Sequence, residues 1–467
     1  MGRLLRIARN CCLPLPLWLA GCALLCRNEA GTQASLPPQA TAVPVGSVTQ
    51  TALSVQQVGF VAPAQESSLA ELRELSLDTL VKEVLARNPS LAQMEAAWQA
   101  ASARYPQVTS LDDPMIGAAL APGSIGSNEV EFGYRLEISQ KYLFPGKRAL
   151  RGQSALAEAS AAGHDVEDMR LQLIESAKSA FYDYYLVQHA LFVNREGLGL
   201  LQEFRQNAET RYKTGLAPQQ DVLQGEVELG KQRGRQLSLE RTQRIAIARI
   251  NTLLHTPPDS PLPPAPEQIQ MAEPLPDAQA LRARALAQRP DLLALADRLR
   301  AEEAALALAR KEYYPDVEAT AAYDTIMGNG PTRDLAGQIG IRVNLPVRRE
   351  RRSAAVAEAE ARLAMRRAEL AKLTDQMNLQ VQEAYEHLIE AEKVVQLYRS
   401  TILPAAQSNV RAAQSAYMTG KTPFLSLIEA ERSLLELRDR YYESVAGYFR
   451  RRAGLERMTG GVLPPAT

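Results

Sequence analysis

The chain has 467 residues, is 46% apolar but only 6% aromatic, and is rich in Ala, Leu, Glu, Gln and Arg, a mixture that favours long helices over a thick core. Lys plus Arg and Asp plus Glu are balanced at 53 each, so no bulk field points to nucleic acid. No uninterrupted apolar run of about 18 residues occurs, so no helical membrane span is expected.

Arg3, Arg6 and Arg9 precede a short apolar stretch, Leu13 to Leu19, broken by Pro14 and Pro16. This pattern predicts a signal peptide over 1–21. Its end, Leu19-Ala20-Gly21-Cys22, matches the bacterial lipobox, which makes Cys22 the expected lipidation site and mature N-terminus. Ala23 is not the aspartate that retains lipoproteins at the inner membrane, so the outer membrane is the expected destination. All four cysteines lie at or before Cys26, leaving no internal disulfide framework. Residues 22–70 are rich in Pro, Ala and Gln without helical period and read as a tether.

Ser76 to Ser110 is helical in pattern, with Leu77, Leu80, Val81, Val84 and Leu85 on one face and Ser76 as cap. Its counterpart runs from Asp277 to Glu312. Pro89 matches Pro290 and Pro114 matches Pro315 at one offset, so the chain is a duplication: repeat 1 over 71–255, repeat 2 over 277–460. A proline-rich linker, 256–276, joins them, and 461–467 is a tail.

After Pro114 and Pro315 the period changes to two, which marks strands. Ile116–Leu120 pairs with Val130–Ile138 across a loop, Ala121 to Asn128. Val317–Tyr323 pairs with Gln338–Leu345 across Asp324 to Asp334. Val130, Phe132, Tyr134, Leu136 and Ile138 share one face, as do Ile339, Ile341, Val343 and Leu345. A soluble sheet packed on one side would alternate in the same way. Four strands among such long helices fit better as lipid-facing on the apolar side and water-lining on the other, and four strands cannot close a barrel, so oligomerisation is required.

Helical patterns over 149–212 and 353–417 are each roughly 95 Å long at 1.5 Å per residue. The recurrent spacings of three and four argue for coiled-coil-like packing. Each long helix ends in a Tyr-x-x-Gly-x-x-Pro turn, Tyr212, Gly215 and Pro218 in one repeat and Tyr417, Gly420 and Pro423 in the other. Return helices follow over 219–255 and 424–458. The glycines suit a positive-φ C-cap and the prolines the first turn of the next helix.

Past the turns lie Asp221 with Glu226, and Ser426 with Glu429 and Glu431. Gathered round a symmetry axis, these acids would form a cation-favouring gate; solvated acids complementing a helix dipole are the alternative. Gly199 and Pro404 each stand 16 residues before a tip glycine and read either as paired hinges or as static kinks. Lys147, Arg148 and the run Arg348 to Arg352 follow the hairpins, where cations meet lipid head groups or the pore wall, unless they are a simply solvated charge run. His164, His189, His255 and His387 are dispersed. No catalytic constellation, metal site or cofactor motif is seen, so no enzyme is expected.

The lipobox and the twofold succession of helix, hairpin, long helix, Tyr-x-x-Gly tip and return helix resemble the TolC-type outer-membrane factor family. The resemblance implies a homotrimer pooling twelve strands into one outer-membrane barrel above a periplasmic α-helical tunnel. It also implies a periplasmic adaptor that docks on the tips through Tyr212, Gly215, Tyr417 and Gly420, and an inner-membrane pump of the resistance-nodulation-division type. The family's acidic gate residues fall on Ser426 and Glu429, so the first acid is a serine here. The segment Ile138 to Arg148 is similar to the CzcC-like heavy-metal branch, which implies metal cations as cargo. A structural or adaptor-type coiled-coil lipoprotein is the competing reading; it predicts one tip, whereas this chain has two.

Overall fold

The computed structural model describes residues 73–125, 133–271, 275–324 and 336–464, all within one compact unit, Gly59–Thr467. Cys22, the tether, Val130 and Phe132 lie outside the described residues.

Repeat 1 runs α1 (Leu77–Arg87), α2 (Pro89–Thr109), β1 (Met115–Leu120), β2 (Tyr134–Tyr142), α3 (Lys147–Lys213) and α4 (Gln219–Leu253). Repeat 2 runs α5 (Ala278–Gln288), α6 (Pro290–Lys311), β3 (Val317–Asp324), β4 (Ala336–Val343), α7 (Arg349–Leu397), a π turn (Tyr398–Ile402), α8 (Leu403–Met418) and α9 (Phe424–Met458). At 1.5 Å per residue the 67-residue α3 is about 100 Å long.

The initial helix of each repeat, expected as one piece, is two. Asn88 and Arg289 precede prolines and adopt extended ψ of 122° and 119°, because a proline ring crowds an α-helical residue before it. Asn88 restarts the chain by accepting the Ser90 N–H at 3.0 Å, and its own amide donates to the Leu253 carbonyl at 3.0 Å. Ser76 stands at the α1 N-cap, but its side chain makes no capping bond. The linker is strapped down: the Tyr184 hydroxyl donates to the Pro263 carbonyl at 3.0 Å, and Gln188 accepts the Ala265 N–H at 2.7 Å.

The sheet is antiparallel in the order β1-β2-β3-β4. Register sets Ile116, Ile138, Ala321 and Ile339 abreast, and Tyr142, Val317 and Val343 abreast. Residues directly opposite share a face, so Tyr134, Leu136, Ile138, Ile339, Ile341 and Val343 all lie on one apolar side. The other side carries an ion-pair chain in which Glu137 binds Arg135 and Arg342, and Arg342 also faces Glu318. β2 runs four residues further than expected, because Ser139–Tyr142 pair with β3 although they are mostly polar. Leu345 lies beyond the end of β4, exposed.

Two larger clusters and a small one of Val410, Ala430 and Leu434 hold the helices among the described residues. One surrounds Tyr184, Ile250, Leu281, Met377, Leu388 and Tyr448 midway along α3. The other lies at the far end, where Leu201, Phe204, Ala208, Leu229, Tyr417, Phe424, Leu427 and Ile428 pack together. α9 packs on α3, α7 and α8, whereas α4 packs on α3 almost alone.

Candidate functional site

Each tip begins as a helix end that needs a left-handed residue. Gly215 and Gly420 take φ of 74° and 73°, a region that costs side-chain-bearing residues but not glycine. In tip one the Gly215 N–H donates to the Tyr212 carbonyl at 3.0 Å and the Leu216 N–H to the Arg211 carbonyl at 2.8 Å. In tip two Gly420 donates to Tyr417 at 3.0 Å and Lys421 to Ala416 at 2.9 Å. Both are Schellman motifs, which satisfy the last carbonyls of the helix. Pro218 and Pro423 hold extended ψ of 155° and 159° as N-caps of α4 and α9, one position earlier than the first helical turn where they were expected.

The tips clasp one another through side chains. Arg211 donates from Nη1 to the Met418 carbonyl at 2.9 Å, with its guanidinium 5.0 Å from the centroid of the Tyr417 ring. The Tyr417 hydroxyl donates to Asp221 Oδ2 at 3.3 Å, and the ring lies 5.3 Å from that of Phe424. Burial raises the Asp221 carboxyl above its ordinary value, while the Tyr417 hydrogen bond and the Arg211 charge pull it back. The Tyr417 hydroxyl is pushed up to about 12, first by burial and then by Asp221.

Within one chain the five proposed gate residues have different surroundings. Asp221 is held in the clasp. Glu226 is exposed, 4.0 Å from Arg205. Ser426 is half-buried, and Glu429 is exposed with no ion pair among the described residues. Glu431 is 0% exposed and neither carboxylate oxygen has a hydrogen-bond partner; burial raises its pKa, with Arg438 opposing. Its carboxyl is thus enclosed by its own protomer.

Of the two hinge candidates, Gly199 sits in uninterrupted α-helix with open space where a Cβ would be. Pro404 stands two residues past the π turn Tyr398–Ile402, which widens the helix where proline removes a hydrogen bond. Lys147, expected beside Arg148 on the surface, is instead buried.

Sequence reading missed Arg211, whose side-chain hydrogen bond and ring contact go to Met418 and Tyr417 of the other repeat, and a cross-repeat lock between the return helices. In that lock Glu228, nearly buried, accepts from Arg432 at 2.7 Å and Lys231 at 2.8 Å, and Arg235 pairs with Asp439.

The family model described as Outer membrane efflux protein matches residues 80–255 and 281–461, the two repeats. An uncharacterised protein of Haemophilus influenzae is 23% identical over 369 residues, 72% of this chain and 80% of that protein. Toxin and drug export protein A of Aggregatibacter actinomycetemcomitans is 21% identical over 302 residues, 61% of this chain and 66% of that one. Among solved structures, CusC superposes with a TM-score of 0.72 at 18% identity, covering 86% of this chain and 96% of its own. VceC of Vibrio cholerae gives 0.69 at 20% identity, with coverages of 82% and 96%. The outer-membrane channel OprN gives 0.66 at 23%, with 83% and 90%. These structural likenesses carry the fold, and the profile match over both repeats carries the assignment: the chain belongs to the outer membrane efflux protein family and is an outer-membrane efflux channel, not an enzyme.

Proposed function

We propose that three copies of this chain form the exit duct of a tripartite efflux system, receiving cargo from an inner-membrane pump of the resistance-nodulation-division type through a periplasmic adaptor. The observation that carries this reading is an amphipathic four-stranded sheet with two open edges, set at one end of helices about 100 Å long. Three sheets would make twelve strands, enough to enclose a water-filled lumen with Tyr134, Leu136, Ile138, Ile339, Ile341 and Val343 toward lipid. In planar bilayers the purified protein should give discrete conductance steps. A complete lack of conductance, with Glu429→Gln and Asp221→Asn variants equally silent, would overturn the reading.

At the periplasmic mouth the adaptor docks on the tips, where Tyr212, Leu216, Met418 and Leu425 are exposed. Glu429, open to solvent and without an ion pair among the described residues, faces the mouth with Ser426 and Glu226, and the clasp made by Asp221 ties the tips together in the closed state. Opening bends the helices at Pro404 and Gly199. If Pro404→Ala with Gly199→Ala leaves conductance and efflux unchanged, the hinges are static. Cys22 carries the lipid, and palmitate labelling should disappear in Cys22→Ser.

Heavy-metal cations are the proposed cargo, supported by the Ile138 to Arg148 segment. The name of the Aggregatibacter relative favours toxins or drugs instead. A deletion strain sensitised to metals but not to drugs supports the first reading, and the reverse supports the second.

A further inference from the structure

The two edge strands cannot stay bare. Among the described residues β1 pairs only with β2 and β4 only with β3, and these edges carry some of the most exposed large apolar residues, Ile116 at 80% and Ile339 at 94%. Unpaired backbone and apolar side chains along an edge are a template for another strand. β1 leaves the helices and β4 returns to them, so β4 of one copy meets β1 of the next in antiparallel sense, as β2 meets β3 within the chain.

The β2–β3 seam therefore shows what the seam between copies requires at its base. There Lys147, 0% exposed, donates from Nζ to Asp316 Oδ1 at 2.9 Å, to Glu312 Oε2 at 3.3 Å and to the Tyr314 carbonyl at 3.0 Å. Asp316 also accepts the Phe144 N–H at 2.9 Å. Burial alone would raise the Asp316 carboxyl; the Phe144 bond, Lys147 and Lys141 together bring it below its ordinary value. A base after one strand thus locks onto acids flanking the start of the next.

The open edges carry the same two kinds of charge at the same level, with the acids at neighbouring positions and not duplicated ones: with Pro114 on Pro315, Glu312 and Asp316 fall on Leu111 and Met115, and the acids beside β1 are Asp112 and Asp113. Pro145 and Pro346 correspond, as do Lys147 and Arg348, and Arg148 and Arg349; Pro114 corresponds to Pro315. After β4 stand Arg348 and Arg349. Before β1 stand Asp112 and Asp113. All four are exposed, and none makes an ion pair among the described residues, whereas further along the helices Arg310 pairs with Glu360, Arg362 with Glu358 and Arg104 with Glu158. Asp112 shares a hollow with Lys141 and Arg148 yet pairs with neither.

We propose that copies of this chain are locked together at the base of the barrel by an ion-pair clamp, Arg348 and Arg349 of one copy on Asp112 and Asp113 of the next. Like the Lys147–Asp316–Glu312 lock within one chain, it pairs bases that follow one strand with acids that precede the next, here on neighbouring and not duplicated acid positions. Exposed ion pairs contribute little, but this one is covered by the seam it closes, and an Arg fork serves two carboxylates where a Lys ammonium serves as a point charge. The clamp rests on the trimeric reading above.

The test is charge exchange in the full-length protein, reconstituted in nanodiscs of neutral lipid and of anionic lipid, with oligomer populations read by native mass spectrometry. Asp112→Lys with Asp113→Lys, or Arg348→Glu with Arg349→Glu, should each raise the monomer fraction about tenfold, corresponding to about 1.4 kcal/mol. The fourfold variant should recover the trimer, because the clamp re-forms with its charges reversed. Circular dichroism checks that every protomer keeps its helices, and the milder Asp→Asn and Arg→Gln versions should show the same loss in reduced form. If the fourfold variant is no better than the two pairs separately, the clamp is refuted while the trimer stands. The same holds if only the arginine pair matters and only in anionic lipid, which would make these arginines lipid contacts. A wild-type protein that stays monomeric refutes the trimeric channel itself.

Discussion

At the first tip Tyr212 is 45% exposed, while its counterpart 205 positions later, Tyr417, is 4% exposed and gripped by Arg211, Asp221 and Phe424. The same spacing pairs Glu226, which faces solvent, with Glu431, which is wholly buried. Backbone geometry is nevertheless common to both tips, down to φ values within a degree of each other at the glycines. The turn is written in local sequence and survives duplication. Burial is written in neighbours: α9 lies among α3, α7 and α8, whereas α4 has little besides α3. Repeat 2 thus supplies the inward-packed tip, and repeat 1 the outward one.

The sharpest way to break this comparison is to remove both tyrosines in turn. Tyr417→Ala deletes a buried ring from the tip cluster and should cost about 3–5 kcal/mol. Tyr212→Ala should stay within about 0.5 kcal/mol. Denaturant melts give the energies, and hydrogen exchange over 405–430 localises the loss. Equal costs would mean that the tips are equivalent in the assembled protein.

Next in size is the glutamate pair. Glu431→Leu removes an unsatisfied buried carboxyl and should stabilise by about 1–3 kcal/mol, whereas Glu226→Leu should be near neutral. Burial raises the Glu431 pKa from an ordinary 4.5, so the folded state holds that proton more tightly than the unfolded one. Its contribution is complete below pH 4.5 and is lost as pH rises through the folded pKa. The advantage of the leucine variant should accordingly grow from pH 4 to pH 8. A gain that is flat across that range would show that the folded carboxyl ionises in the same pH window as in the unfolded chain, so that burial does not hold its proton.

Much of this architecture is legible in the sequence because its signals are local. The tip glycines demand positive φ, period-two runs mark the strands, and α4 and α9 begin where the Tyr-x-x-Gly-x-x-Pro turns place them. The helix breaks at Pro89 and Pro290 were also written locally, but the apolar period runs through them and hides the extended residue before each proline. Partners supplied by the other repeat were not legible. Nothing around Lys147 distinguishes a surface cation from one buried on Asp316, and nothing around Glu431 distinguishes it from Glu226. The Arg211 contact spans 207 positions, so no window of local sequence contains it.

The tip glycines sharpen the comparison from the other side, since they should respond alike. A Cβ at Gly215 meets open space and one at Gly420 meets only Arg211 Nη2 at 3.9 Å, so the cost of Gly→Ala is backbone strain alone. Each variant should lose about 1–2 kcal/mol in thermal or denaturant melts. A marked difference between them would show that side-chain packing, and not the left-handed turn, sets the need for glycine.

The smallest expected effect isolates the one hydroxyl that joins the tips. Tyr417→Phe keeps the ring, its stacking on Phe424 and the guanidinium above it, and removes only the bond to Asp221. At 3.3 Å that bond is long, so the loss should fall near the low end of about 0.5–1.5 kcal/mol, and Tyr212→Phe should lose nothing. The pH profile identifies the cause. Burial already lifts Asp221 above its ordinary 3.8, and the hydroxyl is one of two groups holding it down; without it the carboxyl rises further. A carboxyl with a raised folded pKa contributes fully below 3.8 and loses that contribution as pH climbs through the folded value. The two proteins should therefore melt nearly together in acid and separate above it, with the phenylalanine variant falling behind. Separation that is already complete below pH 3.8 would assign the loss to packing of the hydroxyl and not to the Asp221 charge.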